Sequence, residues 1–365
     1  MGQKLRAARV PPPGRIIRRE LETRGWTQKD LAHIMDRPEQ TISQIVNAKK
    51  RITPETALQL AAAFGTSAEL WLNLEANYQL HQARDDENNS EIRRRSRLYS
   101  LVPLTEICQR GWIRCWESFE KLEKEVCDFL DIATLDEEPR LAVSFRQSDI
   151  GDPEVAAEMA WVKRVEHLAR RQTVGEFDRG RLEDALPELV SYAAAVRDVR
   201  RVPSFLLDQG VHFVIVPHLS KTYLDGAAFR LNGNPVVAMT LRHDRIDNFW
   251  FTLLHELAHI VAGHEGGYLD DLDEEADTPE EVEANGLARD WLIDPDALRA
   301  FVDGTEPYFS RQKVVAFAER QRRHPGIVVG RLQHDEVMPW SHLRSFLREV
   351  SPRLQEWIDT PGPCA

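Results

Sequence analysis

The sequence predicts a multi-domain, α-rich chain with one α+β region. An N-terminal five-helix domain leads into a helical middle, and an α+β body with a small β-sheet follows. Three observations predict this. The chain has 365 residues, more than the ~250–300 at which single cores usually divide. Its first 80 residues are short helical patterns with clear stop signals. After Gly210 the pattern changes to short β-rich runs and then to a long apolar helix.

Composition is that of a globular protein, with 42% hydrophobic and 29% charged residues. No apolar stretch follows Met1-Gly2-Gln3-Lys4-Leu5-Arg6, so no signal peptide is expected, and Arg6 does not suit myristoylation at Gly2. No run approaches the ~18 apolar residues that span a bilayer. A cytoplasmic protein without a membrane partner is expected. Cys108, Cys115, Cys127 and Cys364 form no CxxC pair and read as reduced structural thiols. The net charge is -12, but residues 1–84 hold 13 Lys+Arg against 8 Asp+Glu, leaving +5 there and -17 elsewhere. A basic head on an acidic body points to nucleic acid as a partner of the head alone.

The head, residues 1–84, resolves into five helices. Arg15 to Arg24 is the first, ended by Gly25. Thr27 caps the second, with Asp30 three residues on as a short-armed capping box. Asp36-Arg37 turns the chain, and Pro38 sits at the first position of the third helix, whose inner face is Ile42, Ile45 and Val46. Thr53-Pro54 opens the fourth, closed by Gly65. Ser67 opens the fifth, which runs through Trp71 and Leu74 to Ala83. The second and third helices fit a helix-turn-helix, with Glu39, Gln40, Thr41, Ser43, Gln44 and Asn47 facing outward. Glutamine and asparagine can read adenine bidentately, threonine can touch a thymine methyl, and Lys49-Lys50-Arg51 suits phosphates. Glu39 is unusual in a helix that approaches DNA, and a small helical bundle for protein contacts is the competing reading.

A linker is expected around Asp85–Ser90 and Arg93–Arg95. Residues 85–200 form the helical middle, with helices near Phe119–Leu130, Glu154–Arg171 and Leu182–Val199 and no catalytic constellation. In residues 201–335, Val211 to Val216, Ala227 to Leu231 and Val236 to Leu241 are strands, the last two joined by the hairpin turn Asn232-Gly233. An exposed edge of that hairpin could take an extended peptide by strand addition. A buried helix follows from Arg245 to Ala262. Asp270 to Glu283 holds nine acidic residues and no basic one, reading mainly as a solvated loop, and another helix runs to Leu292. Residues 336–365 make a helical tail.

His255-Glu256-Leu257-Ala258-His259 lies inside the apolar helix. Residues four apart share a helix face, so His255 and His259 can give two imidazole nitrogens to one Zn2+, with Glu256 close enough to serve as general base. Two histidines and a glutamate in an apolar helix are costly without partners, and a metal is the natural one. A hydrolytic zinc site needs a third protein ligand and an open position. His264 follows Gly263, which ends the helix, so it is expected to point elsewhere. The next helix offers Glu281, ahead of Glu283 and Glu280. Asn285, four residues past Glu281, would hydrogen-bond one of the histidines.

Two resemblances extend this reading. Leu224-Asp225-Gly226-Ala227, Arg242 through His259, Glu281-Val282-Glu283-Ala284-Asn285, Asp294-Pro295 and His324 through Gln333 resemble the ImmA/IrrE-type metallopeptidases over roughly 200–335. That resemblance implies a zincin-like α+β metallopeptidase domain that cleaves few substrates, often a repressor. The family's third ligand is a glutamate on the helix after the active-site helix, which favours Glu281. Pro13 through Ile17, Trp26 through Ala32, Gln40 through Asn47, Arg51 through Leu58 and Phe64 through Tyr78 resemble the HigA-type antitoxins of the Xre helix-turn-helix class, with a departure at Pro38. That class implies a homodimer on double-stranded operator DNA, sometimes with a toxin partner. The combined expectation is a DNA-binding transcriptional regulator whose zinc-dependent endopeptidase cleaves itself or a partner, such as a repressor or a toxin. The alternatives are a zinc-domain sensor, or an antitoxin-like repressor, without proteolysis.

Overall fold

Stop signals and caps set the helices of the head. A computed structural model describes residues 10–83, 87–139, 152–264, 268–270 and 278–360, and the chain divides into two compact units between Arg94 and Arg95. In the first unit α1 (Pro13–Arg24) ends at Gly25, whose φ of 67° favours glycine. α2 (Gln28–Ile34) starts on the capping box: Thr27 Oγ1 accepts from the Asp30 amide, and the Asp30 carboxylate accepts from the Thr27 amide at 2.7 Å. α3 (Glu39–Val46) starts one residue later than expected. Pro38, with φ -58° and ψ 137°, is its N-cap and not its first helical residue. α4 (Pro54–Phe64) and α5 (Ala68–Ala83) complete the unit. Ile17, Leu21, Leu31, Ile42, Leu60 and Trp71 fill its core. α1 and α3 pack closely because residue 14 is glycine: a Cβ there would lie 2.1 Å from the Val46 carbonyl oxygen.

The expected linker is a helix from Glu87 onward, α6 (Glu87–Leu101). Its Glu, Arg and Leu residues are good helix formers, and their propensity outweighs the polarity that reads as a linker. In the second unit α7 (Leu104–Gln109), α8 (Phe119–Leu130), α9 (Pro153–Ala169), α10 (Arg179–Ser191) and α11 (Val202–Asp208) precede the sheet. The strands are β1 (His212–Ile215), β2 (Gly226–Leu231), β3 (Asn234–Met239) and β4 (Tyr268–Asp270). α12 (Ile246–Ala262) lies between β3 and β4. α13 (Pro279–Leu292), α14 (Pro295–Asp303), α15 (Arg311–Gln321) and α16 (Pro325–His334) follow.

The sheet is mixed, in the order β1-β3-β2-β4. β1 runs parallel to β3, with His212 opposite Val236. β2 and β3 form the expected antiparallel hairpin, its turn made by Asn232 and Gly233 at φ 52° and 93°. β4 pairs with Gly226–Ala228 of β2. The hairpin edge expected to be open is therefore covered there, and β4 is the outer strand.

Alternation divides the sheet residues between two cores. Phe213, Ile215, Ala228, Val237 and Met239 join α12 and the C-terminal helices. Val214, Val216, Ala227, Phe229, Val236 and Ala238 join α8 and α9. Phe346, Val350 and Leu354 of the tail enter the first of these cores. The tail also lies along β1: the Asp359 amide donates to the Ile215 carbonyl at 2.8 Å, and the Asp359 carboxylate accepts from Arg164 at 2.6 and 2.9 Å. Segments 85–200, 201–335 and 336–365, separated on sequence grounds, thus share one unit from Arg95 onward. A sheet with two apolar faces needs cover on both, and the middle helices supply one side.

Cys108 and Cys115 form a disulfide, correcting the expectation of reduced thiols. The end of α7 and the turn at Gly111, φ 68°, bring their Cα atoms to 5.7 Å. Cys127 is free and buried; Cys364 lies outside the described residues, as do residues 271–277 of the acidic run. Among the described residues no helix is long and apolar enough to cross a membrane.

Candidate metal centre and DNA-recognition helix

α12 is buried nearly all round because it crosses one face of the sheet beneath α13 and α16. His255, Glu256 and His259 lie on it at 0%, 0% and 1% exposure. His255 Nε2 and His259 Nε2 are 3.1 Å apart. The Glu281 carboxylate on α13 approaches them at 3.2 Å and 3.5 Å. Thr278 caps α13 and accepts from the Glu281 amide, which sets Glu281 in the first turn of its helix.

The three ligand atoms are spaced for a metal. Tetrahedral zinc with bonds of ~2.0–2.1 Å holds its ligand atoms ~3.3–3.4 Å apart, and the three observed separations are 3.1, 3.2 and 3.5 Å. Two imidazoles and one carboxylate are also the donor chemistry of a hydrolytic zinc site. Among the described residues His255, His259 and Glu281 are the one group with such mutual proximity. Burial alone would raise the Glu281 pKa, but hydrogen bonds to His255 and His259 outweigh it and hold the carboxyl far below its usual range. Glu281 is thus ready as an anionic ligand. Of its rivals, Glu283 lies 3.3 Å from His264 instead, and Glu280 is not part of the cluster.

The surroundings of His259 differ from the sequence reading in two respects. His264 does not point elsewhere: Gly263, at φ 75°, turns the chain back so that His264 Nδ1 lies 2.9 Å from His259 Nδ1. With a metal at the shared point His259 Nε2 would ligate it, its Nδ1–H would donate to His264, and His264 Nε2–H would donate to Glu283, 3.3 Å away. Asn285, expected in this role, makes no side-chain hydrogen bond among the described residues. The outer nitrogen of His259 faces the turn after Gly263, where His264 takes the place expected of Asn285. The glycine that suggested a helix end was also the signal for this reversal. Sequence reasoning also missed Gly226, where a Cβ would lie 2.1 Å from Glu256 Oε1. The start of β2 thereby leaves room for the carboxylate.

In the head, Glu39 and Gln40 are exposed and Thr41, Ser43 and Gln44 are partly exposed, on the side of α3 opposite buried Ile42, Ile45 and Val46. Lys49, Lys50 and Arg51 are exposed just beyond the helix, and the Lys49 and Lys50 amides donate to the Gln44 carbonyl. Asn47 is held locally: its Nδ2 donates to the Ser43 carbonyl at 2.9 Å, and its Oδ1 accepts from Arg18 at 3.4 Å. Arg18, unremarked in the sequence, is therefore a neighbour of the recognition helix.

Comparison with known proteins agrees with both units. The helix-turn-helix family matches residues 17–71, and the IrrE N-terminal-like domain matches residues 214–309. The uncharacterised HTH-type transcriptional regulator YddM of Escherichia coli (strain K12) is 31% identical over 90 residues, covering 25% of this chain and 96% of that protein. Virulence-associated protein I of Dichelobacter nodosus is 36% identical over 81 residues, covering 22% of this chain and 75% of its own. The solved structure of an addiction module antidote protein of a HigA family from Coxiella burnetii is 34% identical, covering 22% of this chain and 90% of that one, with a TM-score of 0.22. The chain belongs to the Xre-type helix-turn-helix transcriptional regulators, and behind that head it carries an IrrE-like domain of the metallopeptidase type.

Proposed function

We propose that the protein is an operator-binding regulator whose second unit is a zinc-dependent endopeptidase that cuts itself or a partner regulatory protein. One observation carries this reading: two buried imidazoles and a carboxylate stand at tetrahedral spacing beside the buried carboxylate of Glu256. Zinc held by His255, His259 and Glu281 would supply Lewis-acid activation of a water and of the scissile carbonyl. Glu256 takes the proton from the attacking water and delivers it to the leaving amine nitrogen. His264 and Glu283 keep the His259 imidazole in the tautomer whose Nε2 is free to ligate. The head, acting as a homodimer, places the peptidase at double-stranded operator DNA, so a cut changes occupancy.

The test is to incubate the purified full-length chain with zinc, alone and with proteins encoded beside it, and to map fragments by mass spectrometry. Glu256→Gln keeps both imidazoles and the carboxylate ligand. It should retain one zinc per chain and lose about 10²–10⁴ in cleavage rate. His255→Ala and Glu281→Ala should lose the zinc. Identical fragments, or none, from wild type and Glu256→Gln would sink the peptidase reading and leave the domain as a sensor.

A further inference from the structure

A small pocket lies along α12, α13 and α16, beside the metal centre. Phe251, Leu292, Ile293, Ile327 and Trp340 give it apolar walls, and its volume is about 80 Å³. Small-molecule sites are usually ~300–1,000 Å³, so this space suits one side chain and not a free metabolite. Ile327 and Trp340 lie beyond residues 214–309, so the pocket is completed by chain outside the matched family segment.

Three arginines line the pocket, and two are neutralised. Arg245 pairs with Asp247, and Arg331 pairs with Asp335 at 2.6 Å. Arg289 makes no hydrogen bond or ion pair among the described residues. Burial lowers its pKa and the Arg331 charge adds to this, while Asp335 and Asp290 oppose it. Burial, then the Arg289 charge, lowers the His334 pKa as well, so His334 brings no competing cation at neutral pH. A guanidinium half withdrawn from water without a hydrogen-bonded partner is costly. The complementary group is an anion, and the apolar walls require that it arrive on a hydrocarbon stem.

The position of the pocket identifies what carries that anion. Glu281, Asn285 and Arg289 follow one another at four-residue spacing on one face of α13, so Arg289 stands ~12 Å along the helix from the ligand position. Phe251 stands one turn before His255, their ring centroids 6.2 Å apart. An extended peptide rising ~3.3 Å per residue crosses ~12 Å in three to four residues.

We propose that this pocket is a substrate subsite for a glutamate side chain three or four residues from the scissile bond. Its carboxylate meets Arg289, and its methylenes pack on Phe251 and Trp340. This inference rests on the peptidase reading above, and its test separates the two. Full-length Glu256→Gln protein is titrated, by fluorescence anisotropy, into labelled octapeptide pools with Glu or Gln fixed at each position in turn. At one position the Glu pool should bind about tenfold tighter or more, the weight of a hydrogen bond to a charged group. Adding Arg289→Met, which keeps the apolar stem, should bring that ratio near one, whereas Arg289→Lys should keep part of it. Equal binding of Glu and Gln pools at every position, or a ratio that survives Arg289→Met, overturns the subsite. The same pools are then given to wild type. Cleavage without Glu preference overturns the subsite and leaves the peptidase. A Glu preference in binding with no cleavage leaves the carboxylate pocket and overturns the peptidase reading.

Discussion

Gly226 opens β2 against the carboxylate of Glu256, and no other residue type leaves room there without moving that carboxylate. The constraint comes from a side chain on another element, so it is invisible to any local reading of the strand. Glu158 on α9 shows another effect of surroundings. Burial, with smaller contributions from Glu154 and Asp152, pushes its carboxyl up to about 7. A carboxyl with a raised folded pKa is best tolerated when protonated. Stability from this group is therefore full below its unfolded value near 4.5 and is lost as pH rises through about 7. Glu158→Gln should remove that slope. In denaturant melts, the variant should gain stability relative to wild type between pH 4.5 and 7 and hold the gain above. Parallel profiles would show that Glu158 titrates normally.

At the scale of elements, the candidate metal centre is a product of α12, the turn after Gly263 and α13 acting together. α12 presents His255 and His259 on one face, α13 brings Glu281 to them, and the turn returns His264 to the outer nitrogen of His259. Residues that orient a ligating histidine typically contribute 10–100-fold to metal affinity. His264→Ala should therefore weaken zinc binding by about that factor in a competition titration against a chromogenic chelator. Glu283→Gln, at the exposed end of the relay, should have the smaller effect. Unchanged affinity in His264→Ala would mean that the turn packs against His259 without orienting it. The helix and its two histidines were legible from the spacing of the motif. The relay was not, because it depends on the direction the chain takes after a glycine.

For the whole molecule, the charge division is the main functional fact beyond the sites. Residues 1–84 carry +5 and the remainder -17, so attraction to phosphates belongs to the head. Lys50→Ala should weaken binding to every DNA sequence and lower the salt slope by ~0.9 per lost phosphate contact. Gln44→Ala should relax base preference with little change in that slope. Filter binding or anisotropy across a salt series measures both, and equal affinity of wild type for random DNA would remove sequence-specific recognition. Asn47 is the less promising reader of bases, since its amide is already engaged by Ser43 and Arg18.

By itself the sequence determined the five helices of the head, the strand–hairpin–helix order of the body and the pair His255/His259 with Glu256. Each follows from short-range chemistry: caps, turns, the period of apolar residues and the four-residue repeat of a helix face. It ranked Glu281 above Glu283 and Glu280 but could not place any of them, because a ligand from another helix depends on how the two helices pack. Only the tertiary structure decided that the middle helices and the tail share the cores of the sheet, that β4 covers the hairpin edge, and that Cys108 meets Cys115. It also decided that Arg289 faces an apolar pocket without a hydrogen bond or ion pair to any described residue. These outcomes turn on contacts between residues far apart in the chain or on the direction of a turn, and neither is encoded in the local pattern that makes a helix or a strand.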